Sequence, residues 1–274
     1  MKPSRGGARP VGVFDSGVGG LTVLRALRAA MPERDFIYLG DTARLPYGTK
    51  SAQSVERYSL QCAAALIERD IGCLVVACNT ASASALDALR RRYPALPIIG
   101  VIEPGAEAAV AASRSQHIAV IGTEGTINGG AYEAAIRRLN ASARVTSSAC
   151  SLFVAMAEEG WTTGPIAEAV AQRYLAPIFA AGDAADTLVL GCTHFPALSE
   201  SICAVLPAHV QLVDSALTTA AAVARRLQAA PSQLGASRGS VTWLATDGAA
   251  RFARVGSAFL GQALCADAVE IIDL

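Results

Sequence analysis

Short hydrophobic runs recur along this chain, and most of them end at glycine or at a polar side chain. Such runs, bounded by turn-forming residues, predict buried β-strands. The predicted strands are Val11–Phe14, Phe36–Leu39, Cys73–Ala77, Pro97–Ile102, His117–Ile121, Arg144–Ser148, Thr187–Leu190, Val210–Val213, Val241–Ala245 and Val269–Ile272.

Longer segments with hydrophobic residues three or four positions apart separate these strands, and this spacing predicts helices that bury one face. The predicted helices are Leu21–Ala30, Ser51–Arg69, Ser82–Arg92, Gly130–Leu139, Leu152–Glu159, Pro165–Phe179, Ala216–Gln228 and Ala249–Leu260. Because strands and helices alternate, we expect an α/β fold in which largely parallel sheets are flanked by helices.

The pattern at the start of the chain begins again near its middle. A strand, a glycine-rich turn with hydroxyl groups and a helix occupy residues 11–30, and the same order returns about 110 residues later. We interpret this as two pseudo-symmetric halves, although short apolar strands also resemble one another by chance. The strand–helix pattern is interrupted at Glu103-Pro104-Gly105 and at Asp214-Ser215, and we expect the chain to pass from one half to the other at these two points. The expected domains are residues 1–102 with 214–274, and residues 103–213.

Two stretches, CLVVACNTAS and TLVLGCTHFP, each place a cysteine at the end of a predicted strand. Cys78 and Cys192 precede predicted helix N-termini, a location that lowers the pKa of a thiol and favours the thiolate. A buried cysteine is usually only a small hydrophobic residue, and this is our interpretation of the other five. These are Cys62, Cys73, Cys150, Cys203 and Cys265.

Pseudo-symmetric halves would bring the two thiols to opposite sides of one interdomain cleft. A thiolate on one face of a carbon and a thiol on the other suit racemisation, in which one removes a proton and the other returns one. Asp15 and His194 are placed to assist proton movement at Cys78 and Cys192, respectively, although Asp15 or Ser16 would also serve as a helix cap. The developing enolate-like charge needs donors. The candidate hydroxyl groups are those of Ser16, Thr80, Thr123 and Thr193.

The composition excludes several classes of protein. Acidic and basic residues balance, which does not suit a nucleic-acid binder. No apolar stretch is long enough to cross a membrane, and the first ten residues lack the apolar core of a secretory signal. Scattered cysteines without a CxxC pair fit a reducing cytoplasm and no metal site. Only Lys2 and Lys50 are available for the Schiff base of a pyridoxal-phosphate enzyme, and Lys50 is the only serious candidate. There is no GxxxxGK(S/T) phosphate-binding loop.

Five segments together, VGVFDSGVGGLTVL, YLGDTARLPYGTKS, VVACNTASA, IGTEGTINGGAY and LGCTHFPAL, resemble glutamate racemases of the aspartate/glutamate racemase family. The resemblance covers nearly the whole chain. It implies two α/β domains and a cofactor-independent enzyme that interconverts L- and D-glutamate for bacterial peptidoglycan synthesis. It also implies a homodimer.

The resemblance further implies roles for individual residues. Cys78 and Cys192 correspond to the acid/base pair of the family, and Asp41 and Glu158 to its accessory acids. The expected substrate contacts are Asp15, Ser16, Pro46, Tyr47, Gly48, Asn79, Thr80, Thr123, Thr126, Thr193 and His194. Considered without the resemblance, Tyr47 is better explained by packing in its loop than by contact with a ligand.

Three other functions remain open at this point. Aspartate or hydantoin racemases and related decarboxylases would keep the fold and change the substrate. Cys78, Cys192 and His194 would suit a metal or redox site if a further ligand joined them. Two α/β lobes around a cleft also suit a periplasmic-type binding protein, against which the expected lack of a signal peptide argues.

Overall fold

The computed structural model describes residues 9–180, 185–228 and 238–274. The expectations for the N-terminal ten residues therefore lie mostly outside the described part of the chain, as does Lys2. The strands are β1 (Val11–Asp15), β2 (Phe36–Gly40), β3 (Cys73–Val76), β4 (Ile98–Gly100), β5 (His117–Gly122), β6 (Arg144–Ala149), β7 (Thr187–Gly191), β8 (Gln211–Asp214), β9 (Val241–Ala245) and β10 (Val269–Ile271).

Helices lie between the strands, and eight of the eleven described α-helices correspond to predicted ones. They are α1 (Leu21–Ala30), α2 (Ala52–Ile67), α3 (Asn79–Arg92), α4 (Ile102–Ala112), α5 (Glu124–Asn128), α6 (Ala131–Leu139), α7 (Leu152–Glu158), α8 (Pro165–Phe179), α9 (Ser199–Val205), α10 (Ser215–Arg226) and α11 (Ala249–Leu260). None of the helices in the described ranges is both long and apolar enough to cross a membrane.

The strands form two separate sheets in which every pairing is parallel. One sheet has the order β10-β9-β2-β1-β3-β4, and the other has the order β6-β5-β7-β8. The prediction of an α/β fold with largely parallel sheets is confirmed. The second sheet is built from one continuous part of the chain, whereas the first also takes β9 and β10 from the end of the chain. The exact domain boundaries stay a prediction.

Several local predictions are wrong, each for a physical reason. The break expected at Glu103-Pro104-Gly105 is the first turn of α4, where a proline needs no backbone hydrogen-bond donor. The turn after Thr123 contains the short helix α5, which the Thr123 side chain caps. Helix α9 was not predicted. Cys203 and Cys265 are exposed, contrary to their interpretation as buried residues.

The order of the strands decides where a ligand can bind. In the first sheet the chain moves from β1 to β2 on one side and to β3 on the other, and in the second sheet from β5 to β6 and β7. The carboxyl ends of strands at such a reversal leave a crevice, which is the usual ligand site of open α/β sheets. Ser16 and Cys78 follow β1 and β3, and Thr123 and Cys192 follow β5 and β7.

Candidate active site

Cys78 lies at the N-terminus of α3 and acts as the cap of that helix. Its Sγ accepts a hydrogen bond from the backbone N–H of Ala81 at 3.5 Å, and it lies 3.7 Å from Ser16 Oγ. Because the cap begins the helix at Asn79, α3 starts three residues before the predicted Ser82. The thiol is therefore held in place from both sides, by the helix it caps and by the turn after β1.

The ionisation of Cys78 differs from the expectation based on its position. Burial raises the pKa of the Cys78 thiol to about 12, and the charge of Asp15 acts in the same direction. The hydrogen bonds from Ala81 and Ser16 lower it, but they do not compensate. The prediction of a lowered thiol pKa is thus wrong for Cys78, because desolvation outweighs the helix terminus. Activation of this thiol requires a change in its surroundings.

Cys192 lies at the other end of a chain of polar contacts. Its Sγ is 3.8 Å from His194 Nδ1, and His194 Nε2 is 3.2 Å from Glu158 Oε1. The second oxygen of Glu158 accepts a hydrogen bond from Arg251 Nη2 at 2.8 Å. Arg251 belongs to α11 and Glu158 to α7, so this chain of contacts joins elements that flank different sheets.

His194 carries a positive charge in this arrangement. Burial alone lowers the pKa of His194, but the hydrogen bonds to Cys192 and Glu158 raise it to about 10, and the charge of Asp15 adds to this effect. In turn, the hydrogen bond to His194 lowers the pKa of Glu158. The two cysteines therefore have different neighbours, an aspartate for Cys78 and an imidazolium for Cys192.

Both thiols line the same small cavity, whose volume is about 30 Å³. One water molecule needs a volume on the order of 15 Å³, so the cavity has room for only one or two of them. Its lining consists of Ser16, Gly17, Leu45, Pro46, Tyr47, Gly48, Cys78, Asn79, Thr80, Thr123, Val154, Glu158, Cys192, Thr193 and His194. Twelve of the fifteen candidate site residues belong to this lining, and the other three, Asp15, Asp41 and Thr126, do not.

Three threonine hydroxyl groups from the two halves meet beside the cavity. Thr80 Oγ1 lies 2.9 Å from Thr123 Oγ1 and 3.1 Å from Thr126 Oγ1, and the last two are 3.1 Å apart. Thr80 and Thr123 line the cavity, and Thr126 supports them from behind. Thr123 Oγ1 also accepts from the backbone N–H of Thr126 at 3.4 Å. The hydroxyl protons can still turn toward an incoming oxygen, so this cluster is suited to binding an anion.

Asp15 is fully buried at the end of β1. Its Oδ2 accepts a hydrogen bond from the backbone N–H of Gly17 at 3.1 Å, whereas Oδ1 has no hydrogen-bond partner among the described residues. Gly20, not Asp15 or Ser16, precedes α1, and no side chain caps that helix. The capping interpretation is therefore wrong. Burial raises the pKa of Asp15, and its charge acts on both Cys78 and His194.

Asp41 lies behind Tyr47, away from both thiols of the cavity. Its Oδ2 accepts hydrogen bonds from the Tyr47 hydroxyl group and, at 2.7 Å, from Arg44 Nε. Its Oδ1 accepts one from Thr246 Oγ1 at 2.9 Å. These contacts place Asp41 beside the loop that carries Pro46, Tyr47 and Gly48 against the cavity. Its role as an accessory acid stays a prediction.

Tyr132 and Arg251 contact the site residues although the sequence pattern did not single them out. The Tyr132 hydroxyl group donates to Asn79 Oδ1 at 2.8 Å, and Arg251 bonds to Glu158. Both lie in amphipathic helices, where a tyrosine or arginine follows from the helical pattern alone. No local signal distinguishes them, because each contacts a residue far away in the chain.

The chain is similar to known proteins over most of its length. The family model described as Asp/Glu/Hydantoin racemase matches residues 21–223. A glutamate racemase of Geobacter metallireducens is 51% identical over 257 residues, which cover 93% of this chain and 94% of that protein.

Solved structures agree with the sequence comparison. The glutamate racemase of Francisella tularensis in complex with D-glutamate is 36% identical, with a TM-score of 0.86 and 97% of each chain covered. A glutamate racemase of Bacillus anthracis is 34% identical, with a TM-score of 0.89, and the match covers 97% of this chain and 98% of that one.

Proposed function

Because the chain belongs to the Asp/Glu/Hydantoin racemase family, we propose that it is a glutamate racemase in which Cys78 and Cys192 are the two acid/base groups. The observation that carries this proposal is the shared cavity: thiols from the ends of β3 and β7 line the same small space. Because the two cysteines follow strands of different sheets, their sulfurs are suited to approach a substrate carbon from opposite faces. The names of the similar proteins favour glutamate as the substrate.

In the proposed reaction, the α-carbon of glutamate lies between the two sulfurs. One cysteine, as thiolate, removes the α-proton, and the other, as thiol, donates its proton to the opposite face. The α-carbon inverts, and each sulfur has exchanged its protonation state with the other. The reverse reaction uses the same groups in exchanged roles, so no cofactor is needed to balance it.

Removal of the α-proton pushes negative charge onto the substrate carboxylate, and this charge must be stabilised. The hydroxyl groups of Thr80 and Thr123, supported by Thr126, are donors for it. Asn79 Nδ2 is buried without a hydrogen-bond partner among the described residues, so it is another donor for the same carboxylate. Such donors act strongly because they are buried, where the effective dielectric constant is lower than in water.

Substrate binding also offers a way to activate Cys78. The negative charge of Asp15 contributes to the raised pKa of this thiol. A positively charged α-ammonium group bound nearby would offset that charge and favour the thiolate. On the other side, the His194 imidazolium is within reach of Cys192 Sγ for proton exchange at 3.8 Å. Asp15 and His194 are thus proposed helpers of different thiols.

The small cavity implies that the two halves separate when glutamate enters. A volume of about 30 Å³ is much less than an amino acid with a four-carbon side chain and two carboxylates requires. Closure around the bound substrate would then exclude water from the thiols.

We further propose that the D-glutamate serves bacterial peptidoglycan synthesis in the cytoplasm and that the enzyme is a homodimer, as expected of this family.

The proposed function is tested by incubating the purified protein separately with L-glutamate, D-glutamate, L-aspartate and D-aspartate. Circular dichroism is expected to show loss of optical activity for both glutamate enantiomers, with much slower change for aspartate. A strong aspartate signal without a glutamate signal would contradict the choice of substrate. The absence of any racemisation, together with stoichiometric bound zinc, would contradict the two-thiol reaction itself.

A glycine near His194 gives a steric test of the site. A Cβ atom added at Gly19 would lie 2.4 Å from His194 Nδ1 and 2.5 Å from Thr193 Oγ1. We expect Gly19→Ala to displace His194 from Cys192 and to lower kcat/KM for glutamate by about 100-fold. The measurement is the initial rate of racemisation, with thermal unfolding to verify that the variant folds. Activity like that of the wild type would mean that the position of His194 does not matter.

A further inference from the structure

The hydroxyl group of Tyr132 determines which end of the Asn79 amide faces the cavity. Tyr132 lies in α6, beside the second sheet, and Asn79 begins α3, beside the first. The Tyr132 hydroxyl group donates to Asn79 Oδ1 at 2.8 Å, and both residues are 2% exposed. This hydrogen bond occupies the amide oxygen and leaves the amide nitrogen for another partner.

The Asn79 nitrogen has no partner among the described residues, although its side chain lines the cavity with both thiols. Buried N–H groups without a hydrogen bond are rare in folded proteins, and each one calls for an explanation. A carboxylate oxygen in the cavity would accept from this nitrogen. If the amide turned over, it would present its oxygen instead and repel the same carboxylate.

Two glycines lie beside the ring of Tyr132. A Cβ atom at Gly191 would lie 3.1 Å from Tyr132 Cε2, and one at Gly105 would lie 3.3 Å from its Cε1 and its hydroxyl oxygen. Larger residues at these two positions would crowd the ring. The backbone at both positions therefore lies close to the ring whose hydroxyl group reaches Asn79.

We infer that Tyr132 is a positioning residue of the proposed racemase: its hydroxyl group orients the Asn79 amide so that Nδ2 donates to the substrate carboxylate. The inference rests on the proposed function and adds a residue that does not line the cavity. Because Tyr132 and Asn79 flank different sheets, the hydrogen bond also joins the two halves when the cavity is closed.

The test is Tyr132→Phe, which keeps the ring and removes only the hydroxyl oxygen. We expect kcat/KM for glutamate to fall about tenfold, mainly through a higher KM, because a binding donor is no longer oriented. The two enantiomers have equal free energies in water, so kcat/KM must fall by the same factor in both directions. The matched control is Tyr174→Phe, since this hydroxyl group accepts from Leu152 N at 3.3 Å, outside the cavity. It is expected to leave kcat/KM unchanged.

A double-mutant cycle with Asn79→Ala separates positioning from a general structural role. If Tyr132 acts through Asn79, adding Tyr132→Phe to Asn79→Ala will change kcat/KM, and the Kd for D-glutamate measured by calorimetry, by less than about twofold. The same tenfold loss in both backgrounds would overturn the inference, as would a Tyr132→Phe single variant with wild-type kinetics. Failure of the wild type to racemise glutamate would instead overturn the proposed function.

Discussion

Cys78→Ser and Cys192→Ser are each expected to lower racemisation of glutamate by about 10³-fold or more. Serine nearly keeps the size of cysteine, but its hydroxyl group holds its proton far more tightly, so it does not serve as the base at a carbon acid. The loss should appear in kcat/KM from both enantiomers, measured by circular dichroism. Cys265→Ser changes an exposed thiol outside the cavity and is the matched control, with activity expected to be unchanged.

The two variants should differ in a partial reaction. Each retains one thiol, which still faces one side of the α-carbon. In deuterated water, each variant is therefore expected to exchange the α-hydrogen of one glutamate enantiomer only, and the two variants should prefer opposite enantiomers. Mass spectrometry of the recovered amino acid measures this. Exchange of the same enantiomer by both variants, or near-normal racemisation by either, would contradict the two-base scheme.

His194→Asn is expected to lower kcat/KM by about 100-fold to 1,000-fold, because it removes the group that exchanges protons with Cys192. The imidazole lies 3.8 Å from the Cys192 sulfur and is buried, so no water replaces it easily. The pKa of His194 is raised to about 10, and rates that need the imidazolium should fall as the pH rises through that value. The part of this alkaline decline that exceeds the effect of deprotonating the substrate α-ammonium group should be absent in His194→Asn.

Stability provides an independent measure of the same charge. The folded-state pKa of about 10 lies above the ordinary value of 6.5. His194 therefore contributes stability that is fully present below the ordinary pKa and is lost as the pH rises through the raised one. The free energy of unfolding of the wild type, relative to His194→Asn, should fall across this range. Glu158→Gln should move the decline to lower pH, because the hydrogen bond to Glu158 helps to raise the pKa of His194. No relative change with pH would contradict a charged His194.

The hydrophobic pattern predicted the strands well, because a buried strand in a parallel sheet needs a continuous apolar run whatever its neighbours are. The same run shows where the strand ends, and polar residues at that point were correctly expected to lie together at the crevice. Cys78, Asn79 and Thr80 after β3, and Cys192, Thr193 and His194 after β7, all line the cavity. These features are local, and the sequence by itself determines them.

Other features depend on residues far apart in the chain. The raised pKa of Cys78 follows from its burial and from Asp15, which comes from another strand. Asp41, which is predicted to be an accessory acid, does not line the cavity and is bonded to Tyr47, Arg44 and Thr246. Tyr132 has a role only because α6 packs where its hydroxyl group meets Asn79. Desolvation and hydrogen-bond partners are set by packing between the two halves, so only the tertiary structure decided the ionisation and orientation of the groups that the sequence had identified.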